Sequence, residues 1–282
     1  YRRTLGGGQG SGFRGRQGKA DLYYTAFAWR GLALLGRLQA SARDAAREFL
    51  RLQRPATIVD VFSALHLRQV LGDTTGDAAP LLATVEALRA PDGGYRKRPG
   101  GTPSVYHSFL AVLCHDLAGS VRPDSSGLAR FLLSRQREDG GFSETGSAAQ
   151  AMTNATAAGL AALAILDRLD PAVAERASGF LRRMQHPSGG WLAAAQVPVP
   201  DLLSTFTALV GLGLAGRGAA ELVAPAAPFA AACERPEGGF SAGPWERETD
   251  PEYAYYGLGV LGMAGAFGAA AGEMPDPEGC RR

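Results

Sequence analysis

Six stretches of this chain place polar groups and rings at the start of an apolar run: "DLYYTAFAWRGLALLG", "IVDVFSALHLRQVLG", "SVYHSFLAVLCHDLAG", "TNATAAGLAALAIL", "DLLSTFTALVGLGLAG" and "PEYAYYGLGVLGMAG". Tyr23, Tyr24, Phe27, Phe62, Tyr106, Phe109, Phe206 and Tyr256 fall at or near these starts. Gathered around one space, they would wall a cavity that buries a hydrocarbon chain, at about 25 cal/mol per Å². Their ring faces would also attract an allylic cation. Carboxylates recur beside them, at Asp21, Asp60, Asp201, Asp250 and Glu252. Asp201, Asp250, Tyr253 and His107 are the candidates for catalysis. A plainer role competes for each: an Asp at a helix start is also an N-cap worth about 1 kcal/mol, and a histidine there also packs.

Charge sits in two loops. Arg96 and Arg98 lie in "GGYRKRPGG", and Arg14, Arg16 and Lys19 in "GFRGRQGK". Beside an apolar cavity, Arg96 and Arg98 would suit the head group of a diphosphate; as solvated loop charge they would bind nothing. His107, Asp201 and Asp250 have no spacing that marks a metal site.

What positions these residues is a repeat. The turns "LRAPDGGYRK", "RQREDGGFSE", "RMQHPSGGWL" and "CERPEGGFSA" carry Tyr95, Phe142, Trp191 and Phe240, at intervals of 47, 49 and 49 residues. A weaker copy holds Phe13, and a shortened unit without its glycines falls at "EFLRLQRPATIVDVFSALHL". Six units result. Before each turn runs an amphipathic segment such as "SSGLARFLLSRQ", with one apolar stripe. After it, across a polar loop, comes one of the runs quoted above, apolar nearly all round. The pattern predicts a half-exposed outer helix and a buried inner helix in every unit. The expected architecture is all-α: an (α/α)6 toroid over residues 1–268, with a tail at 269–282. A closed ring is expected over an open solenoid. No outer helix precedes the first inner one, and the chain opens inside a repeat, so its natural start is expected further upstream.

Composition narrows the functions. The chain has 282 residues, 46% hydrophobic and 20% charged, with 29 basic against 27 acidic side chains. That balance argues against nucleic acid, and the apolar runs are too rich in glycine and tyrosine for a membrane span. Three distant cysteines, Cys114, Cys233 and Cys280, suit a reducing compartment, so a cytoplasmic location is expected.

The six-fold Gly-Gly-aromatic pattern resembles the prenyltransferase/squalene-cyclase repeat, shared by protein prenyltransferase beta subunits and squalene–hopene-type cyclases. A single short ring looks more like a beta subunit. The resemblance implies an isoprenyl diphosphate as ligand, prenyl transfer or terpenoid modification as activity, a helical partner subunit and a zinc ion. The family's Asp-x-Cys-Tyr-Ser-Phe motif falls on "DLLSTF", where Asp201 matches and Leu203 replaces the Cys. Its Asp-aromatic-Tyr-His motif falls on "DPEY", where Tyr253 replaces the His. With two of three ligand positions lost, no zinc cofactor is expected. The Asp-x-Asp-Asp acid motif of the cyclases has no counterpart; "LGDTTGD" reads as a solvated loop. An enzyme without the usual zinc site and a non-catalytic ring that holds a hydrophobic ligand or a protein partner both remain open.

Overall fold

The computed structural model describes residues 12–73, 76–121, 124–216 and 220–272. The inner helices are α1 (Leu22–Leu34), α3 (Ile58–Leu71), α5 (Val105–Leu117), α7 (Thr153–Ile165), α9 (Leu202–Leu214) and α11 (Pro251–Gly272). Among the described residues five outer helices alternate with them: α2 (Ala40–Leu52), α4 (Ala79–Glu86), α6 (Ser125–Leu133), α8 (Pro171–Arg183) and α10 (Ala220–Ala232). Each inner helix packs on the next, and α11 packs on α1. The ring therefore closes, as the repeat predicts. The outer helix α2 carries the narrow apolar stripe expected of it and buries only Ala46 and Phe49, whereas α6 buries five of its nine residues. By contrast α7 buries ten of its thirteen residues. α11 runs through Gly272, past the expected start of the tail at 269; residues 273–282, with Cys280, lie outside the described residues.

The repeated turn stitches neighbouring units together. The first glycine of each pair has positive φ: 91° at Gly93, 90° at Gly140 and 93° at Gly189. A side chain there would strike the backbone of the next outer helix, at Gly127, Arg176 and Pro225 respectively. The second glycine, at 94, 141 and 190, lies under the ring of Phe131, Phe180 or Phe229 from that same helix. The turn aromatic then pairs antiparallel with the residue that opens the next inner helix. In β1 (Tyr95–Arg96) and β2 (Pro103–Ser104), Tyr95 faces Ser104; in β3 (Trp191–Leu192) and β4 (Pro200–Asp201), Trp191 faces Asp201. One short stretch of sequence, Gly93 to Ser104 in one unit and Gly189 to Asp201 in another, thus fixes where an inner helix starts relative to its neighbour's outer helix.

One element of this repeat escapes a reading by eye. The backbone N–H of the buried turn aromatic donates to a hydroxyl one turn inside the inner helix: Phe13 to Thr25 (2.8 Å), Tyr95 to Ser108 (2.9 Å), Phe142 to Thr156 (2.8 Å) and Trp191 to Thr205 (3.0 Å). Both partners are shielded from water, so losing the acceptor leaves a buried donor unpaired. Thr156→Val keeps the volume and removes only the oxygen. It is expected to cost about 1–3 kcal/mol in denaturant unfolding. An unchanged midpoint would show that the hydroxyl is incidental to the turn.

Candidate functional site

The inner helices begin at one mouth of the ring, and a polar side chain caps each of them except α7, whose N-cap is Met152. Asp21 accepts from the Tyr24 N–H (2.8 Å), Asp201 from the Ser204 N–H (2.7 Å) and hydroxyl (2.9 Å), and Asp250 from the Tyr253 N–H (3.0 Å). Asp60 and Thr57 form a reciprocal capping box on α3. Asp250 is buried and also receives the Arg16 Nε–H at 3.0 Å. Arg16 bonds Glu246 as well and lies 5.3 Å from the centre of the Tyr253 ring. Two candidate catalytic carboxylates, Asp201 and Asp250, are therefore occupied in starting helices. Burial still raises the Asp201 carboxyl above its ordinary range.

His107 caps nothing but is held by a cap. Its Nδ1 lies 2.7 Å from the Ser104 hydroxyl, which also accepts the His107 N–H at 3.1 Å. Burial, and then the Lys97 charge, push its imidazole down to about 4, so the ring is neutral at ordinary pH. Arg96 is half-buried and donates to the Arg89 carbonyl at 3.3 Å, while Arg98 is exposed in the β1–β2 turn.

The aromatic residues do converge. Phe27 of α1 stands 5.6 Å from Tyr255 and 5.4 Å from Tyr256 of α11, ring centre to ring centre. Phe206 of α9 stands 5.5 and 5.2 Å from the same two rings, and Tyr23 stands 4.9 Å from Phe27. Tyr24 meets Tyr23 edge-on at 5.2 Å and covers Gly15 of the mouth loop. Across the ring are Phe62, Tyr106 and Phe109, each incompletely buried. Tyr106 keeps 36% of its surface accessible, yet burial is the largest influence on its hydroxyl and raises its pKa. The two facts agree when the accessible surface faces an enclosed space rather than bulk water. The same half-burial recurs at Tyr23, Asn154, Phe206 and Tyr255 on other inner helices. The inner helices thus keep accessible surface near their starts, much of it aromatic.

Glu252, in the first turn of α11, is the group in this wall best arranged for proton chemistry. Its Oε1 accepts from the Tyr23 hydroxyl at 2.6 Å and from the Tyr256 hydroxyl at 3.2 Å. Burial raises its pKa, the Tyr23 hydrogen bond partly opposes that, and the Asp250 charge adds to the rise. Both hydroxyl donors favour the carboxylate, so the net rise comes from burial and from the Asp250 charge. Sequence reasoning placed Glu252 among the recurring carboxylates but gave it no role, and it passed over Tyr255 and Arg30. Spacing held a usable signal. Tyr23, Phe27 and Arg30 follow i, i+4, i+7, and Glu252, Tyr255, Tyr256 and Gly259 follow i, i+3, i+4, i+7; each set shares one helix face.

The residues at the family's zinc position do not fit the ion. Leu203 has no donor atom, the Tyr253 hydroxyl is pushed up by burial and by neighbouring carboxylates, and Asp201 spends both oxygens on Ser204. Among the described residues no three His, Cys, Asp or Glu side chains gather closely enough to hold a metal. Cys114 and Cys233 are buried elsewhere, their thiols pushed up to about 12 by burial.

The architecture has known counterparts. Candida albicans protein geranylgeranyltransferase-I, solved with GGPP, superposes with a TM-score of 0.71 at 16% identity, over 86% of this chain and 83% of that one. The type II terpene cyclase MstE from Scytonema superposes with a TM-score of 0.63 at 18% identity, over 91% of each chain. A variant of that cyclase solved with geranylgeranyl dihydroxybenzoate gives 0.62 at 17% identity, over 88% of this chain and 87% of that one. No curated protein matches the chain in sequence. At these identities the likeness is one of fold. No helix among the described residues is long and apolar enough to cross a membrane. The profile of the prenyltransferase alpha-alpha toroid domain matches residues 3–121, 50–151 and 119–277, nearly the whole chain, and it is to this family that the protein belongs.

Proposed function

We propose that the ring binds an isoprenoid in its aromatic lumen and modifies it by proton-initiated chemistry, with Glu252 as the acid. The observation that carries this reading is the Glu252 carboxyl, held by Tyr23 and Tyr256 within a wall of rings. Two of the similar structures were solved with geranylgeranyl compounds, which supports the ligand class. Zinc-activated thiol prenylation is disfavoured because Leu203 offers no donor atom and burial pushes the Tyr253 hydroxyl up.

In the proposed step the Oε2 proton passes to the less substituted carbon of an alkene. The alkene's π pair forms the new C–H bond, and the neighbouring carbon becomes a tertiary cation. Tyr23, Tyr106, Phe206 and Tyr256 face that cation, and each ring within about 6 Å contributes about 0.5–2 kcal/mol of attraction. Attack by a second alkene moves the charge along the chain. Loss of a proton from the final cation ends the sequence, and the Glu252 carboxylate takes up a proton again. The product is an isomer of the substrate. Asp201, Asp250 and Tyr253 then serve to start α9 and α11 at the right place, and Arg96 and Arg98 are left to the mouth.

The test is incubation of the purified protein in D₂O with geranylgeranyl diphosphate and with geranylgeranyl dihydroxybenzoate. Mass spectrometry of the products is expected to find an isomer carrying one deuteron per initiating step. Tight isoprenoid binding with no isomer would leave the ring as a carrier and overturn the acid role. Absence of any binding would overturn the isoprenoid reading itself.

A further inference from the structure

Arg30 is a charge that the proposed acid chemistry does not use. It sits in the middle of α1, on the helix face shared with Tyr23 and Phe27, and is half-buried. Its guanidinium lies 3.9 Å from the centre of the Tyr255 ring and 5.2 Å from that of Phe27, and it donates to the Tyr255 hydroxyl at 2.6 Å. Among the described residues no carboxylate pairs with it. A half-buried guanidinium without a counter-ion is costly unless something else completes its shell. Its charge is felt at Tyr256 of α11, Tyr106 of α5 and His66 of α3, so it acts into the lumen from one wall on the others. His66 Nδ1 is buried without a hydrogen-bond partner.

Directly beyond Arg30 the chemistry changes. A hollow of about 570 Å³, open to solvent, lies at the far end of the ring, away from the acid, lined by Leu34, Leu35, Leu258, Gly259, Gly262 and Met263, with Leu34 and Leu35 exposed. Leu34 is one helical turn past Arg30, and Leu258 and Gly259 are one turn past Tyr255. The Arg30–Tyr255 pair therefore stands between the aromatic cluster and this open apolar hollow.

We infer that Arg30 is an anion-recognition site inside the ring, taking the carboxylate or phosphate head group of an amphipathic ligand whose apolar part lies against the lumen wall. The planar fork has donors left after the bond to Tyr255, and a carboxylate or a phosphate accepts two of them at once. For the isoprenoid reading this sets polarity: the anionic end is held at mid-ring, and the hydrocarbon reaches Glu252 in the aromatic chamber. The inference rests on that reading only for this orientation. The anion site itself stands on Arg30 and its surroundings.

The test uses ligands that are not isoprenoids, so that it stands apart from the proposed reaction. Dodecanoate, dodecyl phosphate and dodecanol are titrated calorimetrically into the whole protein, below their aggregation limits. At least one anion is expected to bind tenfold or more tightly than the alcohol, and whichever is favoured identifies the head group. Arg30→Gln is expected to bring anion and alcohol within twofold of each other. Arg30→Lys keeps the charge without the fork and should fall between. Circular dichroism and the unfolding midpoint report whether each variant folds. Equal binding of anion and alcohol by the parent protein overturns the inference. So does an anion preference that survives in folded Arg30→Gln, or a loss of stability in both variants with the preference intact.

Discussion

Gly189→Ala is expected to cost the ring more than about 4 kcal/mol, while Gly238→Ala, at the same place in the next turn, costs about 1–2. Both glycines have left-handed backbones, with φ of 93° and 95°. A methyl group strains either one to a similar degree. The difference lies in what the methyl meets. At Gly189 it would fall 1.8 Å from the Pro225 carbonyl oxygen, on the backbone of α10, which cannot yield without moving the whole helix. At Gly238 it would meet nothing within 4 Å. After α11 the described residues offer no outer helix to stack on the last turn, so the contact that closes the other repeats is missing. Denaturant unfolding of the two variants measures both costs. Equal losses would show that backbone conformation alone, and not the seam between repeats, makes these glycines necessary.

Glu252→Gln is expected to lower turnover by about 10²–10⁴-fold, with folding and ligand affinity close to those of the parent. The amide is nearly isosteric, and its oxygen can still accept from Tyr23 and Tyr256. It has no proton to release to an alkene. A further signature is pH. A carboxyl whose pKa is raised by burial binds its proton in the folded protein at a pH where the unfolded chain has lost it. Stability supplied by that proton is present below the ordinary carboxylate range and is lost as pH rises through the folded pKa. Turnover should fall in the same direction, since the reactive form is the acid. Glu252→Gln should lose the turnover slope and the Glu252 share of the stability slope, leaving the shares of Asp21 and Asp201, whose carboxyls burial also raises. A variant with parental turnover would remove Glu252 from the reaction. A parent whose turnover rises with pH would point to a carboxylate acting as base.

Much of this protein is readable without its coordinates. Spacings of 47 and 49 residues between Gly-Gly-aromatic turns, with an amphipathic run before and an apolar run after, already imply paired helices in a ring. The caps were readable too: Asp21, Asp201 and Asp250 each precede an apolar run, where a carboxylate satisfies free N–H groups. Such features depend on neighbours a few residues apart, so local physics decides them. The Thr and Ser acceptors of the turn N–H groups were hidden because their spacing drifts from 12 to 14 residues.

The centre of the ring was another matter. Tyr23 meets Glu252 across 229 residues of chain, Arg30 meets Tyr255 across 225, and Arg16 meets Asp250 across 234. Each pair exists because α11 returns to α1, an event no local window contains. The inner helices compounded the difficulty: being apolar on almost every side, they show no stripe that marks which face turns inward. Sequence alone determined that six such helices would stand with their polar starts at one mouth. Tertiary closure decided which starts also cap, which carboxyl receives two tyrosine hydroxyls, and which arginine stands without a carboxylate partner among the described residues, because burial and charge pairing are properties of the space the whole ring encloses.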